Sequence, residues 1–124
     1  MFRIVGNTIH ITRGDIASFD VGMKRDDGRD YEFTSGDVIR FKVFEAKRCS
    51  EVVLEKDFEV SETTTKVTIF LGEDETRIGE LINKPDKYWY EVILNPGTST
   101  QTLIGYDIDG EKVFMLYPEG GEKV

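Results

Sequence analysis

Apolar residues recur at every second position through much of this chain, the spacing that sends side chains alternately to the two faces of a β-strand. Ala17, Phe19, Val21 and Met23 alternate with Ser18, Asp20 and Gly22, and Val67, Ile69 and Leu71 point inward from a stretch rich in β-branched residues. Ile39, Phe41 and Val43 share one face of the segment 38–44, which leaves Arg40 and Lys42 toward solvent. Phe2, Ile4, Ile9 and Ile11 predict one short strand or two, with a break at Gly6-Asn7. Val52 to Phe58 carries a mixed pattern, with Glu55 and Asp57 opposite Leu54, Lys56 and Phe58, which predicts an edge strand. Lys87 to Leu94 has aromatic and aliphatic residues on both faces and is expected to cross the middle of the structure.

Turn residues punctuate these runs. Arg13-Gly14-Asp15, Asp26-Asp27-Gly28, Thr34 to Asp37 and Asn95-Pro96-Gly97 each supply glycine, proline or a short side chain that bonds its own backbone. Thr98 to Ile108 predicts a long strand with Thr102, Ile104, Tyr106 and Ile108 on one side, and Asp109-Gly110 is a hairpin signal returning the chain into Lys112 to Tyr117. The period changes only once. Glu73, Asp74 and Glu75 precede Ile78, Leu81 and Ile82, whose three- and four-residue spacing predicts about two turns of helix near residues 73–82, closed by Lys84-Pro85-Asp86.

About eight or nine short strands and one brief helix predict an all-β fold, an immunoglobulin-like antiparallel β-sandwich. A single domain over residues 1–118 is expected, with 119–124 as a flexible tail. The core is expected to gather Phe19, Val21, Phe41, Val43, Ile69, Tyr88, Trp89, Tyr90 and Val92, and Phe2, Ile4, Phe114 and Leu116 are the candidate interface residues.

Length and composition narrow the classes. A chain of 124 residues with 8 Phe, 5 Tyr and 1 Trp can bury a core without staples. Its 16 basic and 24 acidic side chains give a net charge of −8, which opposes a nucleic-acid partner and favours solubility. No apolar run reaches the length of about 18 residues that a membrane helix needs, and Met1 to Asn7 lacks the apolar core of a signal peptide. Synthesis in the cytosol is expected. Cys49 is the only cysteine, so the fold is expected to need no disulfide, and Lys47 and Arg48 beside it bring neither a base nor a second thiol.

Candidate chemistry is sparse. His10, the single histidine, lies between Ile9 and Ile11 with no nucleophile or orienting carboxylate nearby in sequence, and one His with one Cys cannot complete a structural zinc site. Asp107 to Glu111 resembles a fragment of a calcium loop without its distal glutamate, and a hairpin turn is the simpler reading; Asp26, Asp27 and Asp30 carry the same alternatives. Arg13-Gly14-Asp15 matches a tripeptide of integrin ligands, weighed against an ordinary tight turn. Tyr88, Trp89 and Tyr90 are either core or, on one side of the strand, a surface on which sugars stack. No catalytic, cofactor-binding or metal-ligating residues are assigned, and an enzyme ranks last.

The order of Ile11 to Asp15, the strand with Phe19 and Val21, the charged turn Lys24 to Gly28, Val38 to Phe44, Val67 to Ile69 before an acidic helix, and Lys87 to Val92 resembles the N-terminal immunoglobulin-like domain of phage upper baseplate proteins and related prophage tail components. The likeness spans roughly residues 8–118. It implies a non-enzymatic virion structural protein of the tail or baseplate, made in the bacterial cytoplasm. The subunit would be an adaptor whose partners are other tail or baseplate proteins and copies of itself, with no cofactor, nucleic acid or membrane. A carbohydrate or cell-surface binding module is the alternative function.

Overall fold

The computed structural model describes residues 1–25, 27–46 and 48–119, and its elements run β1 (Phe2–Val5), β2 (Thr8–Thr12), β3 (Ala17–Val21), β4 (Val38–Glu45), β5 (Arg48–Glu59), β6 (Val67–Leu71), α1 (Glu73–Thr76), β7 (Asp86–Leu94), β8 (Gln101–Ile104) and β9 (Val113–Tyr117). They form an all-β sandwich. The larger sheet has seven strands in the order β1-β2-β9-β7-β4-β5, with β8 also on β7, and the smaller sheet pairs β3 with β6. Placing β3 and β6 in one layer and β4, β7 and β9 in the other is the division of strands in an immunoglobulin-like sandwich. One ladder departs from the antiparallel expectation, because β2 runs parallel to β9, with Ile9 opposite Phe114 and Ile11 opposite Leu116.

Alternation builds the core. Ile39, Phe41 and Val43 of β4 lose all exposure against Ile69 and Leu71 of β6, and Phe41 lies 5.9 Å from the rings of Phe19 and Tyr90 and 6.4 Å from Phe114. Burying rings of this size is worth about 2–3 kcal/mol each. Val21, Tyr88 and Val92 join the same cluster, and Phe19 packs against it. As expected, β7 is internal, with β4 on one side and β8 and β9 on the other, and β5 ends the sheet. Burial pushes the Tyr90 hydroxyl up to about 12, and that hydroxyl donates to the Asn7 carbonyl at 2.7 Å, tying β7 to the β1–β2 turn.

Three expectations are corrected. First, the helix stops after one turn, and Leu81 is 69% exposed rather than packed. The carbonyls of Ile78 and Gly79, which a longer helix would use for its own ladder, instead accept from the Arg13 guanidinium at 3.3 and 2.8 Å. Gly79 has left the helical region, with φ +67°.

Second, Asp107 to Gly110 forms a turn but no hairpin. Both β8 and β9 pair antiparallel with β7, β8 on its second half and β9 on its first, so they are two segments of one broken strand with residues 105–112 looping out between them. Tyr106 and Ile108 therefore lie in that loop and not on a strand.

Third, Phe114 and Leu116 are fully buried, because β2 covers β9 and removes it from the edge. The edge role falls to β1, where Ile4 is 43% exposed and Phe2 stacks on Phe19.

Candidate functional site

Trp89, expected in the core, faces the other way. Tyr88 and Tyr90 point inward, so the strand's alternation sets Trp89 on the outer face of the large sheet. There it meets Phe44, its direct cross-strand neighbour on β4, with ring centroids 6.5 Å apart, and Val113, its neighbour on β9. Val52 stands opposite Phe44 on β5 and is exposed. Val52, Phe44, Trp89 and Val113 thus make an apolar row across four adjacent strands, on the face turned away from the second sheet. The signal in the sequence was Phe44 itself, an aromatic residue in phase with the solvent-facing Arg40 and Lys42.

The looped-out segment 105–112 borders this row. Tyr106 places its ring 6.4 Å from Trp89 while remaining 75% exposed, and Phe44, Trp89, Tyr106, Lys42, Glu91 and Lys112 line a groove of about 470 Å³. The Trp89 indole nitrogen is buried and has no hydrogen-bond acceptor among the described residues. The rim is ionic and balanced, with Lys42 3.5 Å from Glu91, Lys87 3.6 Å from Glu111 and Lys112 2.7 Å from Asp107. A hydrogen bond from the Lys112 ammonium, joined by one from the Asp109 backbone N–H, holds the Asp107 carboxyl below the usual carboxylate range. Together with the Asp107 and Gly110 backbones, which bond each other in both directions, these contacts fix the turn. Ile108 at its tip is 100% exposed.

Arg13-Gly14-Asp15 is a corner whose arginine is buried and whose aspartate is half-exposed. Arg13 is only 7% exposed, and besides the two carbonyls its guanidinium lies 3.2 Å from the Glu119 carboxylate. Gly14, at φ +88°, donates its N–H to the Thr76 hydroxyl, which in turn donates to the Asp15 carbonyl. The Asp15 carboxylate pairs with the amino group of Met1. An adhesive loop must project its arginine, so the integrin-ligand reading is overturned. Glu119, expected in a loose tail, is held by Arg13 and by Arg77.

His10 is on the outer face of β2, its Nδ1 2.8 Å from the Tyr117 hydroxyl. The Asp27 carboxylate is bonded by Arg29 and that of Asp30 by Lys24, and both carboxyls are held below their usual range by those cations. Among the described residues no three His, Cys, Asp or Glu side chains form a group that could hold a metal ion, and no helix is long and apolar enough to cross a membrane. The Cys49 thiol, the side chains of Lys47 and Arg48, Asp26, and the tail from Gly120 lie outside the described residues.

The fold and this surface define a β-sandwich with an aromatic groove on the outer face of its larger sheet. No family model, curated protein or solved structure matches the chain.

Proposed function

We propose that the protein is a non-enzymatic structural subunit of a phage or prophage tail or baseplate, an adaptor that acts through protein–protein contacts. The resemblance of residues 8–118 to the immunoglobulin-like domain of upper baseplate proteins motivates the reading. The observation that carries it is the apolar row Val52, Phe44, Trp89 and Val113 on a rigid outer sheet face, where alternation would ordinarily place solvated side chains. Rigid sheets hold such anchors in fixed register, which suits assembly. A second docking element is the β1 edge. Arg3 and Val5 exchange bonds with β2, so antiparallel geometry turns the backbone groups of Phe2 and Ile4 outward, ready to extend a neighbour's sheet.

The test is binding between the purified protein and the purified tail and baseplate proteins encoded beside it, read by calorimetry. The expected result is a complex weakened about tenfold or more by Phe44→Asp, as for loss of an interface anchor. No binding to any of those proteins would sink the assignment.

A carbohydrate-binding module is a second reading, favoured by one observation: the Trp89 indole lies in a groove beside an exposed tyrosine, and its N–H lacks an acceptor among the described residues. A glycan array decides it, since a sugar that binds and quenches Trp89 fluorescence would support this reading.

A further inference from the structure

Acids are scattered along this chain, yet none stands before Asp15, so the β1–β2 hairpin is free of them. Asp15 reaches the start of β1, but its carboxylate is taken by the Met1 amino group. Arg3 lies exposed in the middle of β1 and forms no ion pair with any described residue. On the outer face its cross-strand neighbour is His10, and Met1, Arg3, Val5, His10 and Tyr117 line a depression of about 340 Å³ without a carboxylate. An uncompensated cation at the margin of a protein of net charge −8 is a local exception.

The other face of β1 is apolar and unfinished. Phe2 and Ile4 stand opposite Ile11 and Ile9, which are buried, while Ile4 itself remains 43% exposed at the rim of the core. The strand ends the large sheet, and the backbone groups of Phe2 and Ile4 point away from β2. β1 thus presents unpaired donors and acceptors, an apolar rim on its inner side and a lone guanidinium on its outer side.

We infer that β1 receives an extended segment of another protein whose side chains alternate apolar, acidic, apolar, added antiparallel as a further strand of the large sheet. In that pairing the residue opposite Arg3 is a non-hydrogen-bonded neighbour with Cα atoms about 4.5 Å apart, so its carboxylate meets the guanidinium. The residues on either side of it fall on the inner face, where they cover Phe2 and Ile4. β1 of a second copy lacks the acid, and the acids that β5 carries at Glu55 and Asp57 are already engaged by Arg40. This inference rests on reading the β1 edge as a docking element, and it names what docks.

The probe is a synthetic peptide, Thr-Val-Asp-Val-Thr capped at both ends, titrated into the isotope-labelled full chain and followed by NMR. The outward amides of Phe2 and Ile4 are expected to shift and to exchange more slowly with solvent, while those around the Trp89 groove stay unmoved. Arg3→Glu should weaken the peptide about fivefold, the scale of a cross-strand charge pair turned from attraction to repulsion. A peptide with lysine in place of aspartate should recover that loss. Ile4→Pro should abolish binding while the β1–β2 ladder persists, because the N–H it removes is one that β2 does not use.

No shift at about 1 mM peptide, where contacts of millimolar affinity already register, would overturn the proposal. So would equal binding of the aspartate and lysine peptides to the wild type, shifts confined to the Trp89 groove, or copies of the chain pairing through β1 in place of the peptide. Tail proteins that bind Ile4→Pro as tightly as the wild type remove this inference and leave the assembly role standing. A peptide that binds at β1 of a chain that binds none of those proteins does the reverse.

Discussion

Arg13-Gly14-Asp15 and Asp107-Ile108-Asp109-Gly110 are similar as strings, each short, charged and glycine-bearing. In the fold they are opposites. The first is wrapped by β2, the post-helix segment and Glu119, and every polar group described for its arginine is directed at protein. The second is held rigid at its base and bare at its tip. The same kind of composition thus produces a staple in one place and a protrusion in the other. What separates them is whether neighbouring elements complete the hydrogen bonds of the segment, and only the incomplete surface is free to meet another molecule.

That contrast can be broken at several points. The largest effect is expected at Arg13: Arg13→Ala leaves buried carbonyls and a carboxylate without their cation and should lower the unfolding free energy by about 3 kcal/mol. Urea unfolding measures this, and Arg13→Lys should recover little, since an ammonium cannot fork to carbonyls on one side and a carboxylate on the other. A loss near zero would mean that the corner is not a staple.

Thr76→Val keeps the shape and removes the hydroxyl shared by Gly14 and Asp15, at an expected cost of about 1–2 kcal/mol in the same assay. The loop should respond to acid instead. Asp107 has its carboxyl lowered by Lys112, so its contribution is present above the unfolded value of about 3.9 and is lost as pH falls below it. Amide shifts of Asp109 and Gly110, followed by NMR, should therefore move below about pH 4, and movement only at neutral pH would contradict the assignment.

The smallest stability change is expected for Ile108→Asp, within about 0.5 kcal/mol at a bare turn. A large loss there would show that the tip packs against its own chain.

Much of this architecture was legible in the alternation of apolar residues. The inward faces of β3, β4 and β6 follow from Ala17, Phe19, Val21, Ile39, Phe41, Val43, Val67, Ile69 and Leu71, because a period of two leaves one buried face and no competing solution. The edge position of β5 followed from its charges. What remained hidden depended on partners far along the chain. The parallel pairing of β2 with β9 buried Phe114 and Leu116, and the reach of Arg13 to Ile78 and Gly79 ended the helix, 65 and 66 residues away in sequence.

Ile104, Tyr106 and Ile108 share a strand's spacing, yet the chain leaves the sheet at Gly105, and no local signal distinguishes a strand that continues from one that loops out and resumes. The groove was half legible. Opposite faces for Trp89 and its flanking tyrosines follow from the pleat alone, whereas the company of Phe44, Val113 and Tyr106 required the sheet order.

Lys56 lies on the inner side of β5, where its ammonium bonds the Phe70 carbonyl and Glu75 across the gap between sheets, while exposed Glu55, Asp57 and Glu59 line the other side of that strand. One margin of the molecule is therefore pinned to its own second layer through Lys56 and fringed with acids, whereas the opposite margin, β1, meets that layer through the Phe2–Phe19 ring stack and carries no acid. Of the two ends of the large sheet's main run of strands, β1 is therefore the one left open to strand-to-strand addition.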